Sequence, residues 1–384
     1  MVAKNLVSLP SCSSGAPHPQ PDVAFSARSL EGGGAERVLV NLANQLAADG
    51  AIVDVVLVEA CGPYLGLLSD RVRLIDLNRN SSLGSAMALA KYLRAERPKS
   101  VVACMESSAI AAALAAWWSR SDARLYMWEH ITPSVHFAMT KKWKERVLPP
   151  FVRAAYRRAD GVIAVSKGCA DDVHKTYKVP LGQIITIPNP IRIEEIRGWA
   201  SEPISHPWFG GSNPVFLGAG RLTEQKNFPA LIRAFAEVRR VRDVRLVILG
   251  QGPLETSLRE LVASLGLTDF VDLPGYVKNP FAYMARADAF VLSSFYEALP
   301  TVLLEALVCG ANVVSTNCPT GPEEILDGGK HGILVPPNSD AELAHGMLQA
   351  LDSPRPKMPE AALAAYRSDH IGLQFRRLLL ETSL

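Results

Sequence analysis

The chain has 384 residues, of which 48% are hydrophobic and 20% charged, and its formal net charge is +2. This composition is typical of a globular protein with two or three domains. A net charge so close to zero argues against a nucleic-acid-binding protein, so we predict no nucleic-acid partner.

The first 21 residues are rich in Ser and Pro and lack a long apolar stretch, so we expect a flexible tail rather than a signal peptide. The longest apolar run, at 109–118, is about half of the roughly 20 residues that span a bilayer. No cysteines form a Cys-x-x-Cys pair or lie at zinc-ligand spacing, which favours a reducing compartment without a disulfide framework. The six cysteines are Cys12, Cys61, Cys104, Cys169, Cys309 and Cys318.

Strand-like and helix-like segments alternate through residues 22–190. A strand is predicted at 22–27, a glycine loop at 32–34, and a helix at 35–46 that Gly50 ends. Further strands are predicted at 53–58, 101–105, 125–128 and 161–165, and the apolar run at 184–191 ends this half. Strands separated by helices indicate parallel pairing with right-handed crossovers. We therefore assign residues 22–190 to one Rossmann-like domain.

The same alternation begins again after residues 191–211, which we interpret as a linker because they lose periodicity and contain Gly, Ser and Pro. Strands are predicted at 215–220, 244–249, 270–273, 289–293, 312–315 and 333–335, with a helix at 230–238. We assign 212–352 to a second Rossmann-like domain and 353–384 to a terminal helical segment. Open sheets of this kind bind ligands beyond the carboxyl ends of their strands, so we expect the two domains to face each other across a cleft.

Two carboxylates, Glu297 and Glu305, follow the apolar strand at 289–293. Pro300 favours the start of a helix, which places Glu297 in the loop and Glu305 about one turn inside the helix. Carboxylates accept hydrogen bonds from vicinal hydroxyls, and the first N–H groups of the helix are donors for an anion. The alternative is that Glu305 is a solvated or capping side chain. Its apolar neighbours favour ligand binding, since an unpaired carboxylate among them is costly.

Two cations, Arg221 and Lys226, follow the first strand of the second half. The chain has no obvious Asp-x-Asp metal motif, so we predict no metal. An Arg fork and a Lys charge can instead stabilise a diphosphate leaving group. The alternative is a surface loop that carries two cations.

A glycine loop and a histidine are the candidate site residues of the first half. Gly33 and Gly34 lie between a strand and a helix, where glycine lets the backbone approach a phosphate or a sugar closely. The spacing of this loop does not match the dinucleotide-binding motif G-x-G-x-x-G. A dinucleotide site would also need an acidic residue at the end of the second strand, and because Glu59 is available there, a dinucleotide-dependent oxidoreductase stays an alternative. His130 ends a predicted strand, where it either binds a sugar hydroxyl or has a structural role.

Residues 141–158 are strongly basic, with seven cations and one acid in a chain whose net charge is only +2. Aromatic residues lie between the cations, a pattern that favours an anionic membrane surface. We predict membrane contact through Lys141, Lys142, Trp143 and Lys144. The alternatives are a nucleic-acid contact, which the rest of the chain does not support, and a solvated helix whose aromatic residues point to the core.

In order and spacing, the motifs resemble those of the retaining family-four glycosyltransferases with the GT-B fold, over residues 22 to about 350. The matching segments are 29–38, 128–130, 187–191, 220–227, 249–254, 273–277, 297–305 and 321–326. The resemblance implies that anomeric configuration is retained, with the leaving phosphate taking the proton of the acceptor. It also implies that the final helix crosses back onto the first domain.

The resemblance assigns roles to individual residues. It implies catalytic or charge-stabilising roles for Glu297, His130, Arg221 and Lys226, with Glu305 on the ribose hydroxyls. The donor would also contact the loop of Gly33 and Gly34, and its base would lie near Gly250, Gly252 and Val277. Ala298 and Leu299, which follow Glu297, would be further donor-binding residues. No cofactor is implied beyond the nucleotide-sugar donor.

One departure from the family pattern concerns the segment after Glu297, where many relatives have Gly-Phe-Gly and this chain has Ala298-Leu299-Pro300. The variant resembles members that build lipid-linked oligosaccharides and surface polysaccharides such as lipopolysaccharide. We therefore expect transfer of a hexose or N-acetylhexosamine to a glycan or polyprenyl-linked acceptor by a cytoplasmic protein, peripheral on the inner membrane. A GT-B-like sugar-nucleotide epimerase, an oxidoreductase and a silent binding scaffold stay as alternatives.

Overall fold

In a computed structural model, the chain divides into two compact units, which are described separately. The first consists of Met1–Pro190 with Ser368–Leu384, and the second of Ile191–Arg367. The structure describes residues 6–8, 19–31, 33–79, 81–139, 149–353 and 358–381.

The described residues of the first unit form a parallel sheet in the order β1-β4-β3-β2-β5-β6-β7-β8. Nearly every residue of the central strands β2, β3 and β5 is buried, as expected of a parallel sheet with helices on both faces. The strands are β1 Leu6–Ser8, β2 Val23–Ala27, β3 Val53–Leu57, β4 Val72–Asp76, β5 Ser100–Cys104, β6 Arg124–Glu129, β7 Gly161–Ala164 and β8 Ile184–Thr186.

Helices connect these strands, and serine side chains cap two of them. Ser81 accepts a hydrogen bond from the N–H of Gly84, and Ser166 accepts one from Cys169, each at a helix start. The helices are α1 Gly34–Ala48, α2 Ser82–Glu96, α3 Glu106–Ser119, α4 Pro133–Met139, α5 Pro149–Arg158 and α6 Lys167–Tyr177, with short 3-10 turns at Pro63–Leu67 and Leu181–Gln183.

The second unit contains a parallel sheet in the order β11-β10-β9-β12-β13-β14. This is the doubly wound order in which the strand sequence reverses between its first and fourth strands, here β9 and β12. The strands are β9 Val215–Ala219, β10 Arg245–Leu249, β11 Val271–Gly275, β12 Ala289–Leu292, β13 Val313–Thr316 and β14 Ile333–Val335.

Helices of the second unit cover its sheet, and Phe216, Phe235 and Met347 are fully buried in the core between them. The helices are α7 Ile193–Ala200, α8 Phe228–Arg239, α9 Glu255–Ser264, α10 Phe281–Arg286, α11 Thr301–Val308, α12 Pro322–Ile325, α13 Asp340–Asp352 and α14 Glu360–Ala364. Short 3-10 turns lie at Glu224–Lys226 and Asp327–Gly329. Two doubly wound α/β units confirm the predicted fold class.

The last helix, α15 Ser368–Leu380, belongs to the first unit. Ser100 donates a hydrogen bond to the carbonyl oxygen of Leu379 at 2.7 Å, and Tyr126 donates one to that of Leu378 at 3.2 Å. The rings of Phe375 and Trp128 lie 5.0 Å apart. The apolar face of this helix therefore completes the core of the first unit.

Four segments differ from the sequence expectations. Residues 193–200 of the expected linker form α7, because Ile193 and Ile196 are buried on one face and acidic residues begin the helix. In the expected N-terminal tail, residues 6–8 pair with β4 as an edge strand. Residues 358–367 of the expected terminal segment belong to the second unit. Strand β4 itself was not predicted.

In the described part of the chain, no helix is long and apolar enough to cross a membrane.

Candidate active site

The reversal of strand order in the second unit lies between β9 and β12, which are direct neighbours. In doubly wound sheets the loops beyond the carboxyl ends of such strands form the ligand-binding crevice. Arg221 and Lys226 follow β9, and Glu297 follows β12. Three of the predicted site residues therefore come from the two loops that flank this reversal.

The structure joins two of these residues directly in an ion pair. The Nζ atom of Lys226 lies 2.6 Å from Oε1 of Glu297, and the two side chains are only 17% and 8% exposed. In a pair so shielded from water, loss of one partner leaves an uncompensated charge, which costs more stability than the same loss at the surface. The sequence analysis assigned the two residues to the same site but did not predict this contact.

Two further side chains, which the sequence analysis did not assign to the site, hold Glu297 in place. Ser294 donates a hydrogen bond to Oε1 at 2.7 Å, and Gln225 donates one to Oε2 at 3.5 Å. Gln225 also donates to the carbonyl oxygen of Tyr296 at 3.1 Å. The sequence signal that could have identified Ser294 is its place in a polar pair directly after the apolar strand β12, three residues before Glu297.

Backbone contacts fix the loop that carries Glu297. The N–H of Glu297 donates to the carbonyl oxygen of Pro319 at 3.3 Å, and the carbonyl oxygen of Glu297 accepts a hydrogen bond from the hydroxyl of Thr320. Thr316 at the end of β13 donates to the carbonyl oxygen of Ser294 at 2.8 Å. The loop after β12 is thus held from the neighbouring strand, which makes the carboxylate a preorganised group.

Arg221 is exposed, unlike the Lys226–Glu297 pair. Burial raises the pKa of Tyr296, the Glu297 carboxylate raises it further, and the Arg221 guanidinium acts in the opposite direction. This electrostatic effect indicates that Arg221 is near the Glu297 loop. Arg221 is therefore an exposed cation close to Tyr296, in the loop that carries Glu297.

Glu305 lies on α11, partly buried between the buried residues Leu304 and Ala306. Burial raises the pKa of the Cys309 thiol to about 12, and the Glu305 carboxylate contributes in the same direction. Glu305 therefore lies on the same side of the helix as Cys309, the residue that follows it by one turn at the end of α11. Its proposed contact with ribose stays a prediction.

Gly250 and Gly252 follow β10, and backbone packing explains why both are glycine. A Cβ atom on Gly250 would lie 1.9 Å from the carbonyl oxygen of Gly220, and one on Gly252 would lie 2.5 Å from that of Leu222. Gly250 also has a φ of +132°, which disfavours other residues. The glycines thus allow the loop after β10 to pack closely on the loop of Arg221.

The other predicted donor-binding residues lie in varied surroundings. Ala298 and Leu299 are 3% and 5% exposed, and Val277, after β11, is partly exposed. Gly33 and Gly34 lie at the start of α1 in the first unit. A Cβ atom on Gly34 would contact nothing within 4 Å, so protein packing does not require glycine there.

His130 follows β6 in the first unit, and a buried carboxylate fixes its backbone. Glu129 accepts hydrogen bonds from the N–H groups of His130 and Ile131 at 3.0 and 3.1 Å and from the hydroxyl of Tyr156 at 2.6 Å. The imidazole packs against Trp128, with the ring centroids 4.4 Å apart. The sequence analysis did not identify the role of Glu129 in holding this turn.

Both ring nitrogens of His130 are buried and have no hydrogen-bond partner among the described residues, although the residue as a whole is partly exposed. Burial lowers the pKa of His130 to about 3. The ring is therefore neutral at pH 7, with one nitrogen that can donate a hydrogen bond and one that can accept it.

The predicted membrane-contact residues Lys141, Lys142, Trp143 and Lys144 lie outside the described residues. Helix α5, which follows them, has exposed cations, whereas the ring of Tyr156 is fully buried. Among the residues that the structure describes, no cluster of three or more His, Cys, Asp or Glu side chains could hold a metal ion.

Two family models match the chain, one mainly in the first unit and one within the second. Residues 32–195 match the model described as Glycosyltransferase Family 4, and residues 207–367 match that of glycosyl transferases group 1. Together the matches include every predicted site residue.

Curated relatives at about one-third identity are also glycosyltransferases. An uncharacterized glycosyltransferase of Methanocaldococcus jannaschii is 34% identical over 200 residues, 48% of this chain and 49% of that protein. An N-acetylgalactosamine-N,N'-diacetylbacillosaminyl-diphospho-undecaprenol 4-alpha-N-acetylgalactosaminyltransferase of Campylobacter jejuni is 31% identical over 229 residues, 60% of each chain. The chain thus spans about half to three fifths of the length of these relatives.

Solved structures show the same fold over nearly the whole chain. The Anabaena protein HepE, crystallised with UDP, matches with a TM-score of 0.77 at 20% identity, covering 94% of this chain and 100% of that one. At this identity the likeness establishes the fold, which is GT-B.

Proposed function

We propose that this chain, which belongs to the family-four glycosyltransferases with the GT-B fold, transfers a hexose or N-acetylhexosamine from a nucleotide-diphosphate sugar to a glycan or lipid-linked acceptor. The observation that carries the proposal is the cluster of Arg221, Lys226 and Glu297 at the strand-order reversal of the second unit. A dinucleotide-dependent oxidoreductase or an epimerase is not favoured, because the family models and relatives are glycosyltransferases.

The cations of this cluster suit a diphosphate leaving group. As the bond to the sugar breaks, negative charge develops on the leaving oxygen, and Arg221 can bind phosphate oxygens through two N–H groups. The Lys226 ammonium has three donors, of which Glu297 accepts one at 2.6 Å. The remaining donors can bind the diphosphate, so the chemistry proceeds with protein cations and without a metal.

Glu297 has two roles in this proposal. Its carboxylate fixes the Lys226 ammonium, and its position at the cluster allows it to accept a hydrogen bond from a hydroxyl of the donor sugar. Glu305 would accept hydrogen bonds from the vicinal ribose hydroxyls, as the family pattern implies. The neutral ring of His130, whose nitrogens have no partner among the described residues, would bind a further sugar hydroxyl. Retention of anomeric configuration belongs to the same proposal.

The name of the Campylobacter relative, which acts on a diphospho-undecaprenol acceptor, supports a lipid-linked acceptor. Such an acceptor is anchored in a membrane, so we place the reaction at the cytoplasmic face of the inner membrane. The product would then enter cell-surface polysaccharide or glycolipid synthesis.

The test is donor turnover in the presence of EDTA. Purified protein is incubated with UDP-, GDP- and ADP-sugars and a polyprenyl-diphosphate-linked acceptor, and release of nucleoside diphosphate is measured. Proton NMR of the product gives the anomeric configuration. We expect one class of donor to be consumed with retention.

A matched pair of variants ties the activity to the cluster. Lys226→Met should lose turnover, whereas Lys330→Met should keep it, because the Lys330 side chain is 73% exposed and pairs with Asp327 on the surface. If no nucleotide sugar were consumed while NAD(H) were turned over, the proposal would be wrong.

A further inference from the structure

One turn of the second unit, residues 319–321, has a strained backbone. Thr320 has a φ of +60°, in the left-handed region. Among the described residues it is the one β-branched residue with a positive φ, and such a residue is an outlier in that region. Strain of this kind persists only where surrounding contacts impose it, and it is concentrated at functional sites. The contacts of Thr320 therefore indicate its role.

Helix ends account for several of the other positive φ angles, but not for that of Thr320. Arg97, Arg120 and Lys178 each end a helix, where a left-handed residue is common. Thr320 lies instead in the loop between β13 and α12. Pro319 is exposed and Thr320 partly exposed, so burial of these side chains in the core does not explain the conformation either.

The turn binds both backbone polar groups of Glu297. The carbonyl oxygen of Pro319 accepts a hydrogen bond from the N–H of Glu297 at 3.3 Å. The hydroxyl of Thr320 donates to the carbonyl oxygen of Glu297 and lies 3.4 Å from that of Ala298. Because the rotamers open to a side chain depend on its backbone angles, these bonds also restrict the direction of the Glu297 carboxylate.

The same turn packs against the start of α11, which carries Glu305. A Cβ atom on Gly321 would lie 2.7 Å from Cδ of Pro300 and 3.0 Å from the carbonyl oxygen of Ala298, so this close approach requires glycine. Pro300 ends the segment in which this chain departs from Gly-Phe-Gly. The turn therefore contacts a proline ring that relatives with Gly-Phe-Gly lack.

The position of the Glu297 carboxylate matters because two groups bind it at short range. The Nζ atom of Lys226 lies 2.6 Å from Oε1, and the hydroxyl of Ser294 donates to the same oxygen at 2.7 Å. Hydrogen bonds weaken steeply as their geometry departs from the optimum. A shift of the Glu297 backbone would therefore loosen its contact with Lys226.

We propose that Thr320 is a positioning residue, whose hydroxyl and strained backbone hold the Glu297 carboxylate where turnover requires it. The proposal rests on the proposed function for the reaction that Glu297 serves. The effect of Thr320 on the pair of Lys226 and Glu297 does not depend on that reaction. A catalytic group displaced by about 1 Å can lower a rate on the order of a hundredfold.

The test compares Thr320→Val and Thr320→Ser in the full chain. Valine keeps the branching at Cβ but removes the hydroxyl, whereas serine keeps the hydroxyl. We expect Thr320→Val to lower kcat at least about tenfold, while the Kd of the nucleoside diphosphate stays within about twofold of the wild type. Thr320→Ser should recover most of the lost kcat.

Two further variants complete this comparison. Ser264→Ala is the matched control, because it removes a hydroxyl that donates to the carbonyl oxygen of Leu261 at 2.8 Å on an exposed part of the same unit. It should keep the kcat of the wild type. Thr320→Gly removes the hydroxyl together with the strain, so it gives the same comparison where Thr320→Val folds poorly.

A stability measurement tests the same contact without a substrate. Urea midpoints are compared for the wild type, Thr320→Val, Lys226→Met and the double variant. If Thr320 holds Glu297 against Lys226, then Lys226→Met should lower the midpoint less in the Thr320→Val protein than in the wild type, because the pair is already weakened there.

Three results would overturn the positioning role and leave the proposed function standing. The first is a Thr320→Val variant with the kcat of the wild type, or a Thr320→Ser variant that loses as much. The second is weaker nucleotide binding with unchanged kcat, which would make Thr320 a donor contact. The third is an equal loss of midpoint from Lys226→Met in both proteins. If the wild type consumed no nucleotide sugar, the proposed function would fail, and the midpoints would still decide the role of Thr320.

Discussion

The pair of Lys226 and Glu297 allows a quantitative test through three variants: Lys226→Met, Glu297→Gln and the two together. Removal of one partner of a buried pair costs about 3–5 kcal/mol. We expect about 2–3 kcal/mol for Lys226→Met, because Ser294 still donates to the stranded carboxylate and hydrogen bonds to charged groups contribute about 1.5–3 kcal/mol. Glu297→Gln should cost less, since the Lys226 side chain is 17% exposed and can gain water.

The double variant carries the decisive information. It removes both charges from the shielded position, so no ion is left without a partner. We expect its destabilisation to be smaller than the sum of the two single values by at least about 1 kcal/mol, within the range measured for contacting residues. Urea denaturation followed by circular dichroism gives the free energies of unfolding of the wild type and the three variants.

Nucleotide binding by the same variants separates stability from function. Lys226→Met should weaken binding of the nucleoside diphosphate, while Glu297→Gln should lower turnover more than binding. The surface control Lys330→Met should change stability by less than about 0.5 kcal/mol. Additive stability losses in the double variant would refute the claim that the two side chains form a coupled buried pair.

Three further predictions address other parts of the site. Glu305→Ala should abolish nucleotide binding in calorimetry, and a variant with full activity would show that the site assignment is wrong. Gly252→Ala should destabilise the second unit by more than about 2 kcal/mol in urea denaturation, since its Cβ would lie 2.5 Å from the backbone oxygen of Leu222. Gly182→Ala, with nothing within 4 Å, should be nearly neutral, and equal losses would contradict the packing argument. His130 has a pKa of about 3 when folded, against about 6.5 when unfolded, so only the unfolded chain gains its proton as the pH falls between these values. Between pH 7 and pH 5 the wild type should therefore lose about 2 kcal/mol of unfolding free energy that the His130→Phe variant does not lose. If urea denaturation showed the same pH dependence for both proteins, this prediction would be refuted.

The sequence indicates much of this architecture because parallel strands are apolar and short, and polar or glycine residues follow their carboxyl ends. The loops of Arg221, Lys226 and Glu297 follow strands β9 and β12, which the apolar runs at 215–220 and 289–293 predict. Because β9 and β12 are parallel neighbours in the sheet, these loops lie at the same edge. The two predicted Rossmann-like units follow from the same pattern.

Other features depend on contacts between distant segments and could not be derived from local patterns. Gln225 reaches Glu297 across 72 positions. Position 252 requires glycine because the backbone of Leu222, in the loop after a different strand, leaves no room for a Cβ atom. Helix α7 has only eight residues, too few for a clear period in a segment that also contains Gly, Ser and Pro.

The most direct test of the central claim is calorimetric titration of the wild type and Arg221→Met with UDP, GDP, ADP and NAD(H) in EDTA. The account predicts that one nucleoside diphosphate binds the wild type without a metal, that Arg221→Met weakens this binding at least about tenfold through lost charge-assisted hydrogen bonds, and that NAD(H) does not bind. Binding of NAD(H) alone, or nucleotide binding that Arg221→Met leaves unchanged, would contradict it.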